Sequence, residues 1–138
     1  MLNNIHRIKV YFGDTDAAGI VFYPNFYRWM DQAAGELFGN AIAPISKMQK
    51  EDNIFLPLLE THCKFYAPLF LEDIVEIHSR VSEINNKTLR VEHDFIRDNQ
   101  TVAQGYEIRA WAKKKDGKLK ANPVPDEVKE MFGIKNNN

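Results

Sequence analysis

One helix-like segment among strand-like segments constrains the fold of this 138-residue chain more than any other feature. From Phe26 to Phe38, apolar side chains recur at spacings of three and four residues, which places one apolar stripe along a helix. Pro24 suits the first helical position, where a missing N–H costs no hydrogen bond. Small residues at positions 33–35 predict that this helix packs closely against a broad surface.

Strand-like segments make up most of the remaining chain. They cover residues 5–13, 55–66, 73–84, 87–97 and 101–112. In the first of them Ile8, Val10 and Phe12 share one face, and Asn85-Asn86 favours a tight hairpin turn between the third and fourth. One long helix for five strands excludes a repeating βαβ plan. We therefore expect a single α+β domain over residues 1–138, with a mostly antiparallel sheet as the packing partner of the helix.

Composition excludes several classes of protein. The chain has 18 basic and 19 acidic side chains and a net charge of −1, whereas a nucleic-acid binder usually carries a basic excess. A single cysteine, Cys63, cannot form an internal disulfide, and we expect a packed thiol and no metal site. No apolar run approaches the roughly 20 residues that cross a bilayer, and the amino terminus lacks the pattern of a signal peptide. We therefore expect a cytoplasmic protein that neither binds nucleic acid nor inserts into membranes.

The loop between the first strand and the helix carries the candidate chemistry. Asp14 and Asp16 lie in it, and Tyr23, which is not a capping residue, comes directly before the helix. The first N–H groups of the helix are therefore free to bind a ligand at the positive end of the helix dipole. Acyl transfer needs a carboxylate base or nucleophile and a donor for the developing oxyanion. The alternative is that both aspartates only order the turn through local hydrogen bonds.

The same loop begins like a calcium-binding loop, since Asp14, Asp16 and Gly19 follow the D-x-D-x-x-G spacing. An EF-hand also needs an oxygen ligand at loop position 5 and a glutamate at position 12. This chain has Ala18 and Asn25 at those positions, and a strand precedes the loop where an EF-hand has a helix. We therefore expect no calcium site here.

The run FGDTDAAGIVFYPNFYRWMDQAA resembles the signature of the 4-hydroxybenzoyl-CoA thioesterase family, which includes the thioesterases associated with the Tol-Pal system. The similarity is dense over residues 12–33, and APLFLEDIVEI at 67–77 also resembles that family. The resemblance implies the hotdog fold, in which a five-stranded, mostly antiparallel sheet wraps around one long helix. It also implies hydrolysis of an acyl-CoA, aroyl-CoA or acyl-carrier-protein thioester to an acid and a thiol, without a cofactor.

The resemblance assigns roles to individual residues of the loop and helix. Asp16 matches the catalytic carboxylate, which either attacks the thioester carbonyl or deprotonates the attacking water. The backbone N–H of Tyr23 would polarise the thioester oxygen, and Gly19 would let the loop pass close to the substrate. Asp31 matches a position near the acyl pocket, whereas Asp14 is expected to order the loop.

The resemblance also places the CoA nucleotide and a second subunit. Lys87 and Thr88 match the region where the 4-hydroxybenzoyl enzyme binds the nucleotide, although two neighbouring basic positions are Asn85 and Asn86 here. A homodimer or homotetramer is implied, in which two chains together build each substrate channel. A noncatalytic acyl-CoA-binding module is the alternative function. The lysine-rich run 113–118 is interpreted as a solvated hairpin turn, with a phosphate contact to CoA as the alternative.

We do not expect any of the four histidines to take part in catalysis. His6, His62, His78 and His93 fall in predicted strands, away from the aspartate loop. The first three are interpreted as sheet-surface residues and His93 as half-buried. Hotdog-fold dehydratases resemble these thioesterases but depend on an active-site histidine, so the loop favours a thioesterase.

Overall fold

The computed structural model describes residues 3–135 and places most of the predicted elements. The strands are β1 (Asn3–Lys9), β2 (Leu58–Phe65), β3 (Ile74–Asn85), β4 (Thr88–Arg97), β5 (Gln100–Ala110), β6 (Ala112–Lys115) and β7 (Lys118–Ala121). The helices are α1 (Pro24–Ala41), α2 (Ile45–Lys50) and α3 (Asp126–Met131), and a 3-10 turn covers Phe12–Asp14. The long helix begins at Pro24, as its sequence predicts.

Five strands form one antiparallel sheet in the order β1-β3-β4-β5-β2. Lys9 lies opposite Ile74 at one end of the sheet, and Asn85 lies opposite Thr88 at the other end. The sheet packs on α1, so the expected α+β class and the hotdog arrangement are confirmed. A separate two-stranded ribbon, β6 and β7, extends from the end of β5.

The apolar stripe of α1 supplies the centre of the core. Its buried members are Phe26, Trp29, Met30, Ala33, Ala34, Leu37 and Phe38. The Met30 side chain lies against Gly105 of β5. Close packing was expected at positions 33–35, and Ala33 and Ala34 are buried. Gly35 does not show the expected close packing, because a Cβ atom built there would meet no atom within 4 Å.

The structure corrects several local predictions. The first strand ends at Lys9 rather than 13, and the 3-10 turn that follows rotates Phe12 outward, so that 80% of this residue is exposed. Helix α2 was missed, because it lies in a short stretch with little apolar periodicity. The last predicted strand is interrupted at Trp111, where the chain leaves the sheet to form β6. The run 113–118 does contain the expected hairpin turn, at Asp116 and Gly117.

Two predictions about histidines also change. His6 faces inward from β1 and is paired with Glu36 of α1, rather than lying on the sheet surface. His93 is completely buried instead of half-buried. Its ring nitrogens join Ser79 Oγ at 2.6 Å and Glu107 Oε1 at 2.8 Å, in a network that crosses three neighbouring strands. Cys63 is buried, as predicted.

Candidate active site

The loop that carries Asp16 folds back on itself before α1. Thr15 and Val21 form an antiparallel bridge, and the Asp16 N–H donates to the Ile20 carbonyl at 2.9 Å. The turn between them needs Gly19, whose φ of +80° is unfavourable for residues with a side chain. This small hairpin carries the carboxylate on one arm and leads into the helix start on the other.

Asp16 is exposed and only partly engaged by its neighbours. Its Oδ1 accepts a hydrogen bond of 2.8 Å from the Ala18 N–H, which orders the turn, and Oδ2 makes no hydrogen bond within residues 3–135. Asp14 differs in this respect. Its Oδ2 accepts from the Tyr11 N–H at 2.9 Å and its Oδ1 accepts from Arg28 at 2.8 Å. The purely local role thus describes Asp14 well, whereas Asp16 keeps one oxygen available to a reactant.

The start of α1 leaves a backbone donor unpaired. Tyr23 precedes the first helical residue and makes no side-chain capping bond. In the described part of the chain, its N–H donates to no acceptor, and Pro24 has no N–H to compete for a ligand. A donor at a helix start favours an oxygen that carries negative charge.

An apolar cleft lies beside this donor. Its volume is about 280 Å³, and its walls come from the hairpin arm, the helix start and the chain that follows β2. Tyr23, Phe26 and Phe65 contribute aromatic side chains, with Phe26 and Phe65 edge to face at 4.9 Å between ring centroids. Such a surface is suited to an apolar or aromatic group attached to a polar reacting centre.

Asp31 lies further along α1, at a different cavity of about 220 Å³. Its Oδ1 accepts a hydrogen bond of 2.9 Å from Arg109, which also bonds Glu107 at 2.7 Å and the Leu56 carbonyl at 2.9 Å. Sequence reasoning missed Arg109. Two charged residues of opposite sign at alternate positions of β5, Glu107 and Arg109, were the available signal, because alternate residues share one face of a strand.

Lys87 and Thr88 lie far from Asp16 within one chain. Thr88 is the first residue of β4 and Lys87 directly precedes it, at the end of the sheet where β3 finishes, whereas the Asp16 loop lies where β3 begins. The 12 residues of β3 between these ends span roughly 35 to 40 Å at the usual rise of a strand. One protomer therefore brings Asp16, Gly19 and Tyr23 together, but not Lys87 and Thr88.

Other chemical groups are placed away from this loop or are shielded. Burial raises the pKa of the Cys63 thiol to about 12, which leaves it protonated at neutral pH. Among residues 3–135, no cluster of His, Cys, Asp and Glu side chains could hold a metal ion. None of the helices in that range has the length and apolar character required to cross a membrane.

The chain is similar to several known esterases and thioesterases. A family model described as the thioesterase-like superfamily matches residues 10–132. A putative esterase of Aquifex aeolicus (strain VF5) is 31% identical over 128 residues, covering 93% of this chain and 96% of the relative. The structure of a gentisyl-coenzyme A thioesterase is 38% identical, with a TM-score of 0.81 and coverage of 94% and 98%. A mutant 4-hydroxybenzoyl CoA thioesterase complexed with 4-hydroxybenzoyl CoA has a TM-score of 0.89 at 26% identity, covering 96% and 100%.

The matched region contains the Asp16 loop, α1 and strands β2 to β5. The similarity therefore covers the elements that build the candidate site as well as the general fold. The chain belongs to the thioesterase-like superfamily and is an acyl-CoA thioesterase.

Proposed function

We propose that this enzyme hydrolyses its thioester with the Asp16 carboxylate as nucleophile or general base. The observation that carries the proposal is that Asp16 Oδ2 and the Tyr23 N–H lie on the two arms of one loop and have no hydrogen-bond partner among residues 3–135. The Tyr23 N–H would bind the thioester oxygen as negative charge develops on it. The carboxylate would either attack the carbonyl carbon or remove a proton from the attacking water. Gly19 would allow the turn to lie close to the substrate.

We propose a hydroxylated aromatic acyl group as the substrate's acid portion. Two of the thioesterase structures similar to this chain are named for gentisyl and 4-hydroxybenzoyl thioesters. The apolar cleft lined by Phe26 and Phe65 suits an aromatic ring. We propose Asp31 as a second substrate contact, made from the separate cavity that it lines with Arg109 and not from this cleft.

We also propose that the active unit contains at least two copies of this chain. Strand β2 is an edge of the sheet, and only Cys63 of its eight residues is buried. An exposed edge strand with apolar side chains, here Leu58, Leu59 and Phe65, readily pairs with another strand. We infer that β2 pairs antiparallel with β2 of a second copy. We also propose that residues 1–138 form a single domain and that the protein is located in the cytoplasm.

The catalytic assignment is tested by thiol release from a panel of CoA thioesters. The panel contains acetyl, palmitoyl, benzoyl, 4-hydroxybenzoyl and 2,5-dihydroxybenzoyl groups. We expect the hydroxybenzoyl thioesters to have the highest kcat/KM. Asp16→Ala should lower kcat by about 10²-fold or more, the usual contribution of a positioned acid or base. Rapid quenching then distinguishes the two mechanisms, because only nucleophilic attack gives an acyl-enzyme intermediate.

Asp98→Asn is the matched control for the loss of one carboxylate. Asp98 is exposed in the β4–β5 turn at a φ of 52°, a conformation that asparagine also adopts. Its kcat should equal that of the wild type. A wild-type kcat in folded Asp16→Ala protein would overturn the assignment, as would CoA binding without hydrolysis of any thioester in the panel.

A further inference from the structure

A ribbon of lysines lies at the far end of the sheet and is not part of the site described so far. Strands β6 and β7 carry five lysines, and the turn between them carries one aspartate, Asp116. Lys113 lies opposite Lys120, and Lys115 lies opposite Lys118. Directly opposed residues of an antiparallel pair share a face, and alternate pairs share the same face. One face of the ribbon therefore presents four lysines, and all four are exposed.

This arrangement is unfavourable for the ribbon by itself. Like charges directly opposite each other destabilise an antiparallel pair. Within residues 3–135, none of the four lysines is paired with a carboxylate. The concentration of positive charge is also local, because the whole chain has a net charge of −1. An anion with several negative charges would relieve the repulsion.

The ribbon is fixed firmly enough to act as a binding surface. Asn53 exchanges two hydrogen bonds with the backbone of Lys114, at 3.0 and 3.2 Å. Phe55 and Ala112 exchange two more, at 2.8 and 2.9 Å. The fifth lysine, Lys114, points to the opposite face, where its ammonium lies 5.1 Å from the centroid of the Phe55 ring.

The position of the ribbon connects it with Lys87. The Trp111 N–H donates to the Lys87 carbonyl at 2.8 Å, directly before β6 begins. The base of the ribbon thus lies beside the residue that resemblance placed near the CoA nucleotide. The resemblance implies basic residues at two neighbouring positions that are Asn85 and Asn86 here, and the ribbon offers four cations at the same end of the sheet.

The reach of CoA determines which active site this ribbon can serve. About 13 bonds separate the CoA sulfur from its first phosphorus, which is roughly 15 Å at the span of an extended peptide backbone. Strand β3 separates Asp16 from the ribbon by roughly 35 Å or more within one chain. A thioester held at Asp16 therefore does not bring its diphosphate to the ribbon of the same protomer.

A two-fold pairing of β2 edges changes this geometry. Leu58 starts β2 opposite Arg109, near the ribbon, and Phe65 ends it opposite Ala103, near the cleft beside Tyr23. Antiparallel pairing with a second copy brings the start of one β2 beside the end of the other. The ribbon end of one subunit then lies on the same side of the molecule as the Asp16 end of its partner.

We propose that the Lys113, Lys115, Lys118 and Lys120 face binds the phosphates of a CoA thioester whose acyl group lies at Asp16 of the other subunit. This inference rests on the proposed function. CoA offers a diphosphate and a ribose phosphate, whose charge complements four ammonium groups. This proposal favours the alternative interpretation of the run 113–118, a phosphate contact to CoA, over a hairpin turn that is only solvated.

Calorimetric titration with CoA and with pantetheine, which lacks the nucleotide, tests the ribbon directly. Lys113→Gln/Lys120→Gln should weaken CoA binding about tenfold or more, the loss expected from one charge-assisted hydrogen bond. Pantetheine binding should stay unchanged. The control Lys50→Gln/Lys114→Gln removes the same number of charges, from α2 and from the opposite ribbon face, and should change CoA affinity less than twofold.

The possible outcomes distinguish a failure of the ribbon proposal from a failure of the proposed function. Loss of CoA affinity in the ribbon variant supports the phosphate site even if the wild type hydrolyses no thioester, a result that overturns only the proposed function. Hydrolysis with an unchanged kcat/KM in the ribbon variant overturns the ribbon proposal and leaves the function intact. Ribbon-dependent binding of an oligonucleotide or of anionic vesicles, without competition by CoA, also overturns it.

Mixed dimers test whether the ribbon acts across subunits. One subunit carries Asp16→Ala, and the other has all four ribbon lysines replaced by glutamine. Across subunits, one of the two sites then combines an intact Asp16 with an intact ribbon, and about half of the wild-type kcat/KM should return. If each ribbon serves its own Asp16, no site is intact. Activity no higher than the mean of the two parent dimers would therefore overturn the assignment between subunits.

Discussion

At the scale of single residues, the buried network around His93 has a structural role and not a catalytic one. His93 has partners typical of catalytic histidines, a serine and a carboxylate, but the three side chains are buried under α1. A substrate at the exposed Asp16 loop does not reach them. Glu107 continues the network to Arg109, so that a buried carboxylate is paired on both of its oxygens. Such a network stabilises a fold only while every member keeps its partner.

Replacement of His93 should therefore affect folding and not the chemical step. His93→Ala leaves Glu107 Oε1 and Ser79 Oγ without their buried partner, and we expect the free energy of unfolding to fall by about 2 kcal/mol or more. Urea denaturation measures the change, and kcat per folded molecule should stay within about twofold of wild type. His78→Ala, on the more open side of β3, is the control and should cost less than about 0.5 kcal/mol. Loss of kcat with unchanged stability would contradict this role.

At the scale of elements, the contact between α1 and the sheet depends on Gly105. A side chain at this position would collide with the Met30 thioether and would lie 2.7 Å from the His62 carbonyl of β2. The backbone atom has little freedom to move, because β2 is paired with β5 on both sides of this point. A Cβ atom at position 105 therefore has too little room beside the His62 carbonyl, and the Met30 side chain of α1 would also have to shift.

We expect Gly105→Ala to destabilise the protein by about 2 kcal/mol, as overpacking of a filled core does. The matched control is Gly39→Ala in α1, where a side chain would meet no atom within 4 Å. Alanine is a better helix former, so this control should stabilise by about 0.5 to 1 kcal/mol. Thermal unfolding of both variants measures the difference. Equal stability of the two variants would show that the atoms around Gly105 can shift to accommodate a Cβ atom, and would contradict this prediction.

Periodicity predicted the long helix and five strands because each element buries one regular face. The ends of elements were less predictable, since they depend on contacts with distant parts of the chain. Phe12 continues the alternation of its strand, but backbone bonds within the 3-10 turn, such as Asp14 N–H to the Tyr11 carbonyl, redirect it. The Asp16 loop was found through its motif. Arg109 was not, because its partners Asp31 and Glu107 come from different elements and meet only in the folded chain.

For the whole molecule, the two edges of the sheet have different surfaces. Edge strand β1 has charged pairs with neighbouring elements, such as Arg7 with Glu76. Edge strand β2 instead exposes consecutive leucines, Leu58 and Leu59. A row of unpaired backbone groups beside apolar side chains favours association, and lysine on an edge opposes it. We therefore expect self-association to use β2.

A lysine on β2 should therefore separate the subunits and lower activity together. Leu59→Lys should be monomeric by light scattering coupled to size exclusion, because each lysine would bury a charged ammonium group between the two strands, beside the end of the other subunit's β2. Its kcat/KM for a CoA thioester should fall at least tenfold, since each Asp16 then lacks the other subunit's ribbon. Ile5→Lys, at a similarly exposed position of β1, is the control and should keep both oligomeric state and kcat/KM. A monomeric wild type with full activity, or an active Leu59→Lys monomer, would contradict a site shared between subunits.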